Sequence, residues 1–151
     1  MKRLFFLLLL IFLVFSLFAQ ERHLNTGLNN DEQYAFIGMK LEELIDRFGP
    51  PRAVAASRGA EIWQDDVVFQ YTGVDFYISV DRVWLVKFVS THGISNGDTK
   101  FAVMRTLGNT AQDMGDHVLM PVAGTNWPLL FRVNFSNTGS VNAIFIYRQN
   151  F

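Results

Sequence analysis

Leu41, Leu44, Ile45 and Phe48 stand at i, i+3, i+4 and i+7, separated by Glu42, Glu43, Asp46 and Arg47. This spacing predicts a helix over residues 40–48 with all four apolar side chains on one face. Glu43 and Arg47 form an i,i+4 acid–base pair in the favourable order. Gly49 then offers a left-handed helix end, and Pro50-Pro51 keeps the helix from resuming.

A second segment repeats this plan. GMKLEELIDRFGPP, residues 38–51, and GDTKFAVMRTLGNT, residues 97–110, place their glycines at the same spacing. In the second copy Asp98 or Thr99 is the expected cap. Phe101, Met104 and Leu107, joined by Val103, are the expected buried stripe. Gly108 repeats Gly49, and Asn109 replaces Pro50 as a turn residue.

Strand patterns follow each helix. In the first copy, residues 52–60 read as a loop and 61–64 as a short strand carrying Trp63. Asp65-Asp66 reads as a turn, and 67–71, 74–80 and 83–89 read as strands. Val74, Phe76, Ile78 and Val80 alternate with Asp75, Tyr77 and Ser79, which predicts one buried and one partly wet face. In the return strand Trp84, Val86 and Phe88 oppose Val83, Leu85 and Lys87, so both faces are largely apolar. In the second copy, 110–116 reads as a polar loop. Residues 117–122 read as a strand that Pro121 assigns to an edge or a bulge. Leu129, Phe131, Val133 and Phe135 alternate with polar or outward positions, and a connection at 137–140 leads to a final strand over 141–147. The fold class expected is α+β: tandem helix-plus-antiparallel-hairpin units forming a continuous antiparallel sheet, with the helices packed on one face.

The N-terminal pattern differs from the rest. Lys2 and Arg3 precede an apolar run that ends at Leu17-Phe18-Ala19, which predicts a signal peptide over 1–19 cleaved near Ala19. The expected plan is then a flexible lead over 20–33, a first unit over 34–90 and a second over 91–151. Whether the segment before Met39 is helix or strand stays open. The apolar run is shorter than a membrane span, so no integral span is expected after cleavage. The expected location is a periplasm or the exterior.

Charge and composition narrow the classes further. The 13 Lys and Arg against 14 Asp and Glu give a net charge of −1, and loss of Lys2 and Arg3 makes the remainder more acidic. This disfavours a nucleic-acid binder. There is no cysteine, which removes disulfides, thiol catalysis, thiolate zinc sites and a lipid-carrying cysteine.

The carrying residues Gly38, Met39, Leu44, Phe48, Gly49 and Pro51, with Gly97, Thr99, Val103, Leu107 and Gly108, resemble a known unit. A glycine start, an amphipathic helix, Leu or Phe before Gly and a turn into aromatic hairpins look like the helix–strand unit of the beta-lactamase-inhibitor-protein fold. The small outer-membrane assembly lipoproteins that share that unit show a similar GxT…LGxP pattern. The resemblance covers residues 36–147. It implies an exported protein-binding module, here without the lipidation cysteine of the lipoproteins or the disulfides of the inhibitors.

The candidate interface is aromatic: Tyr77, Trp84, Trp127, Trp63, Tyr71 and Tyr147 combine a large contact area with a polar handle. Tyr77 leads, because alternation sets it opposite Val74, Phe76 and Ile78. Catalytic candidates are weaker. His92, Asp98, Asp113, Asp116 and His117 show no metal-ligand spacing and read as loop residues and caps. Asp116 and His117 as strand neighbours would point to opposite faces. No cofactor, metal or catalytic residue is expected. The reading favoured is an exported non-enzymatic module that binds another exported or envelope protein, in cell-envelope assembly or inhibition of that partner, with no oligomeric state implied. The alternative is a carrier or sensor of a small hydrophobic ligand between sheet and helices, lined by Phe76, Trp84, Phe131 and Phe135.

Overall fold

The computed structural model describes residues 30–58 and 65–149. A short helix α1, Asn30–Tyr34, precedes helix α2, Leu41–Phe48. Strands β1, Ala53–Ser57, β2, Asp66–Tyr71, β3, Val74–Ser79, and β4, Arg82–Phe88, complete the first unit. A small hairpin, β5, Ser90–Thr91, and β6, Ile94–Ser95, leads to helix α3, Lys100–Leu107, and a 3₁₀ turn, Gly108–Thr110. The second unit ends with β7, Gln112–Asp113, β8, His117–Val122, β9, Leu129–Phe135, and β10, Val141–Arg148.

One antiparallel sheet of eight strands carries both units, in the order β1-β2-β3-β4-β10-β9-β8-β7. The last strands of the two units meet at the centre, where Val86 pairs with Ile146 and Phe88 with Ile144. From that seam each unit runs outward to its own first strand. Phe76, Val86, Phe88, Phe131, Val133, Ile144 and Ile146 turn to one face, where they form one core with Phe36, Leu44 and Val103 from the helical side. The expected α+β plan, with helices on one face of a continuous sheet, is the observed one.

Both helices are anchored alike. Gly38 N–H donates to Val83 O at 2.8 Å, and Gly97 N–H donates to Val141 O at 2.8 Å. Thr99 caps α3 by accepting from the Ala102 N–H, whereas the Glu43 carboxylate accepts from the Lys40 N–H at the start of α2. Gly49 and Gly108 close the helices with φ of 77° and 68°. Their ψ values of −171° and −153° are not those of a left-handed helix, so the expected cap is corrected to an extended conformation at positive φ. That region is essentially closed to residues with a side chain.

Several local expectations change. The supposed loop after Pro51 contains edge strand β1, because its small residues pair with β2 from Ala53↔Gln70 to Ser57↔Asp66. Asp66 opens β2 instead of making a turn. Val80 leaves β3 for a positive-φ turn with Asp81. The lead expected through residue 33 gives way to α1, whose Gln33 is buried. In α3 the buried centre is Val103, while Phe101 is 76% exposed. Two residues turn a helix by about 200°, so Phe101 and Val103 cannot share a face. In α2, Ile45 lies at the margin of the stripe centred on Leu44 and is 38% exposed. The expectations for the signal peptide, for residues 20–29 and for a strand at 61–64 with Trp63 lie outside the described residues.

Candidate functional site

The face of the sheet opposite the helices is built by alternation. One cross-strand row runs Val68, Tyr77, Leu85, Tyr147, Leu130, and the next runs Gln70, Asp75, Lys87, Phe145, Arg132, Leu119. Except for buried Val68, these side chains are partly exposed. Neighbours in such rows touch across the strands and support one another.

A β-bulge decides what this face presents. Tyr77 pairs with Leu85 and Ile78 with Val83, so Trp84 is the extra residue of β4. Simple alternation sets Trp84 on the same face as Val86 and Phe88, and the bulge instead brings this candidate residue to the outer face. Val83, Val86 and Phe88 go into the core, whereas Trp84 joins Leu85 on the outer face. There, Trp84, Leu85, Arg132, Asn134, Phe145 and Tyr147 line a depression of ≈ 370 Å³. The Trp84 indole N–H donates to Asp66 Oδ1 at 3.0 Å, which fixes the ring.

Polar groups frame the aromatic centre. Lys87 Nζ approaches Asp75 Oδ2 at 3.9 Å, and Arg132 Nε donates to Asn134 Oδ1 at 2.6 Å. Burial raises the Asp75 carboxyl above its ordinary range, with Lys87 opposing. Burial also raises Asp66, against the lowering effect of the Trp84 hydrogen bond. The Tyr77 phenol is raised by burial first and then by the negative charges of Asp75 and Asp66. The face is therefore partly desolvated even though no helix covers it among the described residues.

The remaining aromatic candidates separate. Tyr147 joins Tyr77 and Trp84 on this face. Tyr71 turns inward, where its hydroxyl donates to Gly49 O at 2.8 Å and its ring meets Phe48 and Phe76. Trp127 sits in the loop before β9 with the Arg148 guanidinium 4.1 Å above its ring. Trp63 lies outside the described residues. Leu85, Leu130 and Phe145 complete the outer surface without having been candidates. Alternation along β9 pointed to Leu130, but the facing of Phe145 needs the register of β10 on β9.

On the helical side, a cleft of ≈ 340 Å³ separates α1 from the loop before β9. It is lined by Asp31, Tyr34, Ile37, Thr125, Trp127 and Leu129, among others. Phe76 and Phe131 are fully buried in the core, and Trp84 is on the other face, so the four residues expected to line a ligand pocket do not converge. Beside the cleft, Thr91 donates its hydroxyl proton to Gln33 Oε1 and accepts from His92 Nδ1–H, leaving Nε2 to accept from the Tyr34 hydroxyl at 2.6 Å. The imidazole also packs 4.6 Å from the Phe131 ring, and burial lowers its pKa to about 4.

The other ionisable candidates are dispersed among local roles. Asp98 accepts from Ser95 N–H, Asp113 pairs with Lys100 at 2.6 Å, and Asp116 Oδ1 lies 2.6 Å from His117 Nδ1. The last contact corrects the expectation that those neighbours diverge, because Asp116 precedes the strand instead of belonging to it. Among the described residues, no three His, Cys, Asp or Glu side chains form a group able to hold a metal ion. No described helix is long and apolar enough to cross a membrane.

No family model and no curated protein matches the chain. Among solved structures, it is similar to an extracellular protein containing a SCP domain from Bacillus anthracis str. Ames, at 14% identity and a TM-score of 0.48, over 83% of this chain and 49% of that one. The chain thus spans about half the length of that protein. This finding corrects the resemblance to the beta-lactamase-inhibitor-protein fold drawn from the glycine-bounded helices. A likeness this distant assigns no activity to the chain.

Proposed function

We propose that the protein is an exported, non-enzymatic binding module whose outer sheet face contacts another protein. The observation that carries this reading is the bulge that turns Trp84 out beside Leu85, Phe145 and Tyr147 on a face that no described helix covers. Aromatic side chains on a rigid sheet supply contact area at little conformational cost, and such residues dominate many protein interfaces. Export rests on the leader-like pattern of residues 1–19.

Affinity capture from the native envelope tests the reading when the exported chain is compared with Trp84→Ala and Tyr147→Ala. Loss of one reproducible partner from both variants, with circular dichroism and unfolding midpoint maintained, is the expected result. Undiminished capture by both folded variants would remove this face from the function.

A second reading is favoured by the cleft beside α1. Its volume of ≈ 340 Å³ fits the lower end of small-molecule pockets, roughly 300–1,000 Å³, and its mixed lining sets the Tyr34 and Trp127 rings beside Asp31, Thr125 and Asn126. In this reading the module carries or senses a small hydrophobic ligand between a helix and the sheet. Titration with a neutral apolar fluorophore should then quench Trp127 emission and fail in Trp127→Phe. Quenching that persists in that variant would place the ligand elsewhere.

A further inference from the structure

The two rims of the sheet are built differently. At one end β7 has two residues, Gln112 and Asp113, and pairs only with Leu119 and Val118 of β8. Asp113 is held by Lys100 at 2.6 Å, and beyond β7 the exposed rim of β8 reaches Pro121, which has no N–H to offer. A short strand, fixed charges and a proline are devices that keep an edge from pairing with another chain.

Among the described residues, the opposite rim has a longer strand with no charge and no proline inside it; Pro51 and Arg52, whose guanidinium donates to Thr72 Oγ1 at 3.2 Å, stand just before it. Strand β1 is Ala-Val-Ala-Ala-Ser, lies at the end of the sheet and is exposed from Ala53 through Ala56. Its register on β2 is continuous from Ala53 to Ser57. Because successive residues of a strand direct their N–H and C=O groups to alternate sides, this rim displays a row of backbone donors and acceptors. Val54, at 60% exposure, and Val67, at 46%, add an apolar margin on the helical side. At the ends of the strand stand Arg52 and Arg58, both exposed.

Those arginines discriminate among occupants. A second copy pairing antiparallel about Ala55 would set Arg52 against Arg58 at each end, opposing like charges twice. An extended segment with a carboxylate at each end and β-branched residues between would meet both arginines and continue the ladder. We infer that β1 is a docking edge for an extended, acid-flanked peptide segment of a partner protein, added as a ninth strand. This contact does not rest on the aromatic outer face.

The test uses the exported chain and the peptide Glu-Thr-Val-Thr-Val-Thr-Glu, which places Val opposite Val54 and Ala56 and Glu toward Arg52 and Arg58. Saturable shifts of the β1 amide resonances in NMR are expected, weakening with salt as the flanking charges are screened. The peptide with Lys at both ends should bind about tenfold more weakly. Arg52→Glu combined with Arg58→Glu should invert that preference. Val54→Pro and Ala55→Pro supply a second check, since one of two adjacent N–H groups faces β2 and the other faces the free rim. The variant at the rim position should remain as stable as the parent and lose the peptide. Trp84→Ala should leave peptide binding unchanged, which separates failure of the outer-face reading from failure of this one. Absence of binding, equal binding of the Glu and Lys peptides, or self-association through β1 would overturn the inference.

Discussion

The two units share a backbone frame and differ in what they expose. In each, a glycine before the helix donates to the first inward valine of the last strand, Gly38 to Val83 and Gly97 to Val141. An isolated bridge then pairs Lys40 with Arg82 and Thr99 with Ser140, and a buried residue, Leu44 or Val103, seats the helix on the core. The side chains around that frame diverge. The first unit gathers Phe36, Phe48, Tyr71 and Phe76 under α2, whereas the second leaves Phe101 in solvent. The first also has the long bare rim, β1, and the second the blunted one, β7. The lesson is that backbone hydrogen bonding maintains the repeat, and that the freedom left to side chains and rims is where a binding surface can differ between halves.

The largest effect that bears on this comparison is a truncation at the helix seats. Leu44→Ala should cost about 2–5 kcal/mol in urea unfolding, and Val103→Ala should cost less because fewer buried atoms are removed. A greater loss at Val103 would mean that the second half, and not the aromatic first half, dominates stability. Next come the helix ends. Gly49→Val and Gly108→Val should each cost about 1–3 kcal/mol, and by similar amounts. A Cβ meets nothing within 4 Å at either position, so the penalty is one of backbone conformation and not of crowding.

A smaller effect lies at the seam between the units, where His92 links α1 to the core. Its pKa is lowered to about 4 by burial, so between about 6.5 and about 4 the unfolded chain binds the proton more readily than the folded one. Stability should therefore fall with pH through that window, as Nε2 ceases to accept from Tyr34. In His92→Gln the slope of unfolding free energy against pH should flatten, and an unchanged slope would assign the acid sensitivity to other groups. The smallest effect belongs to the guarded rim. Lys100→Ala should leave stability nearly unchanged, because surface ion pairs contribute little, and should raise hydrogen exchange at β7 without affecting β1.

Much of the frame was legible in the residues because periodicity and glycine spacing report burial and chain reversal directly. Leu44, the hairpin before Val141 and the alternation of Leu129, Phe131 and Val133 all appear where those signals place them. β1 escaped because Ala-Val-Ala-Ala has neither alternation nor strong strand preference, and its neighbour β2 determines its conformation. The facing of Trp84 escaped for a sharper reason: one inserted residue reverses alternation, and nothing in Val83-Trp84-Leu85-Val86 marks where the insertion falls. Tyr71 was readable as a strand aromatic, but not as the donor to Gly49 O that draws it inward.

The outer face of the sheet is the surface proposed to meet a partner. The indole N–H resonances of the chain's 3 tryptophans, Trp63, Trp84 and Trp127, offer a direct reading in two-dimensional NMR with the captured partner added. A large shift or broadening of the Trp84 signal, with Trp127 unmoved, is the predicted result. A Trp84 signal that stays in place while Trp127 shifts would contradict it and move the site to the cleft beside α1.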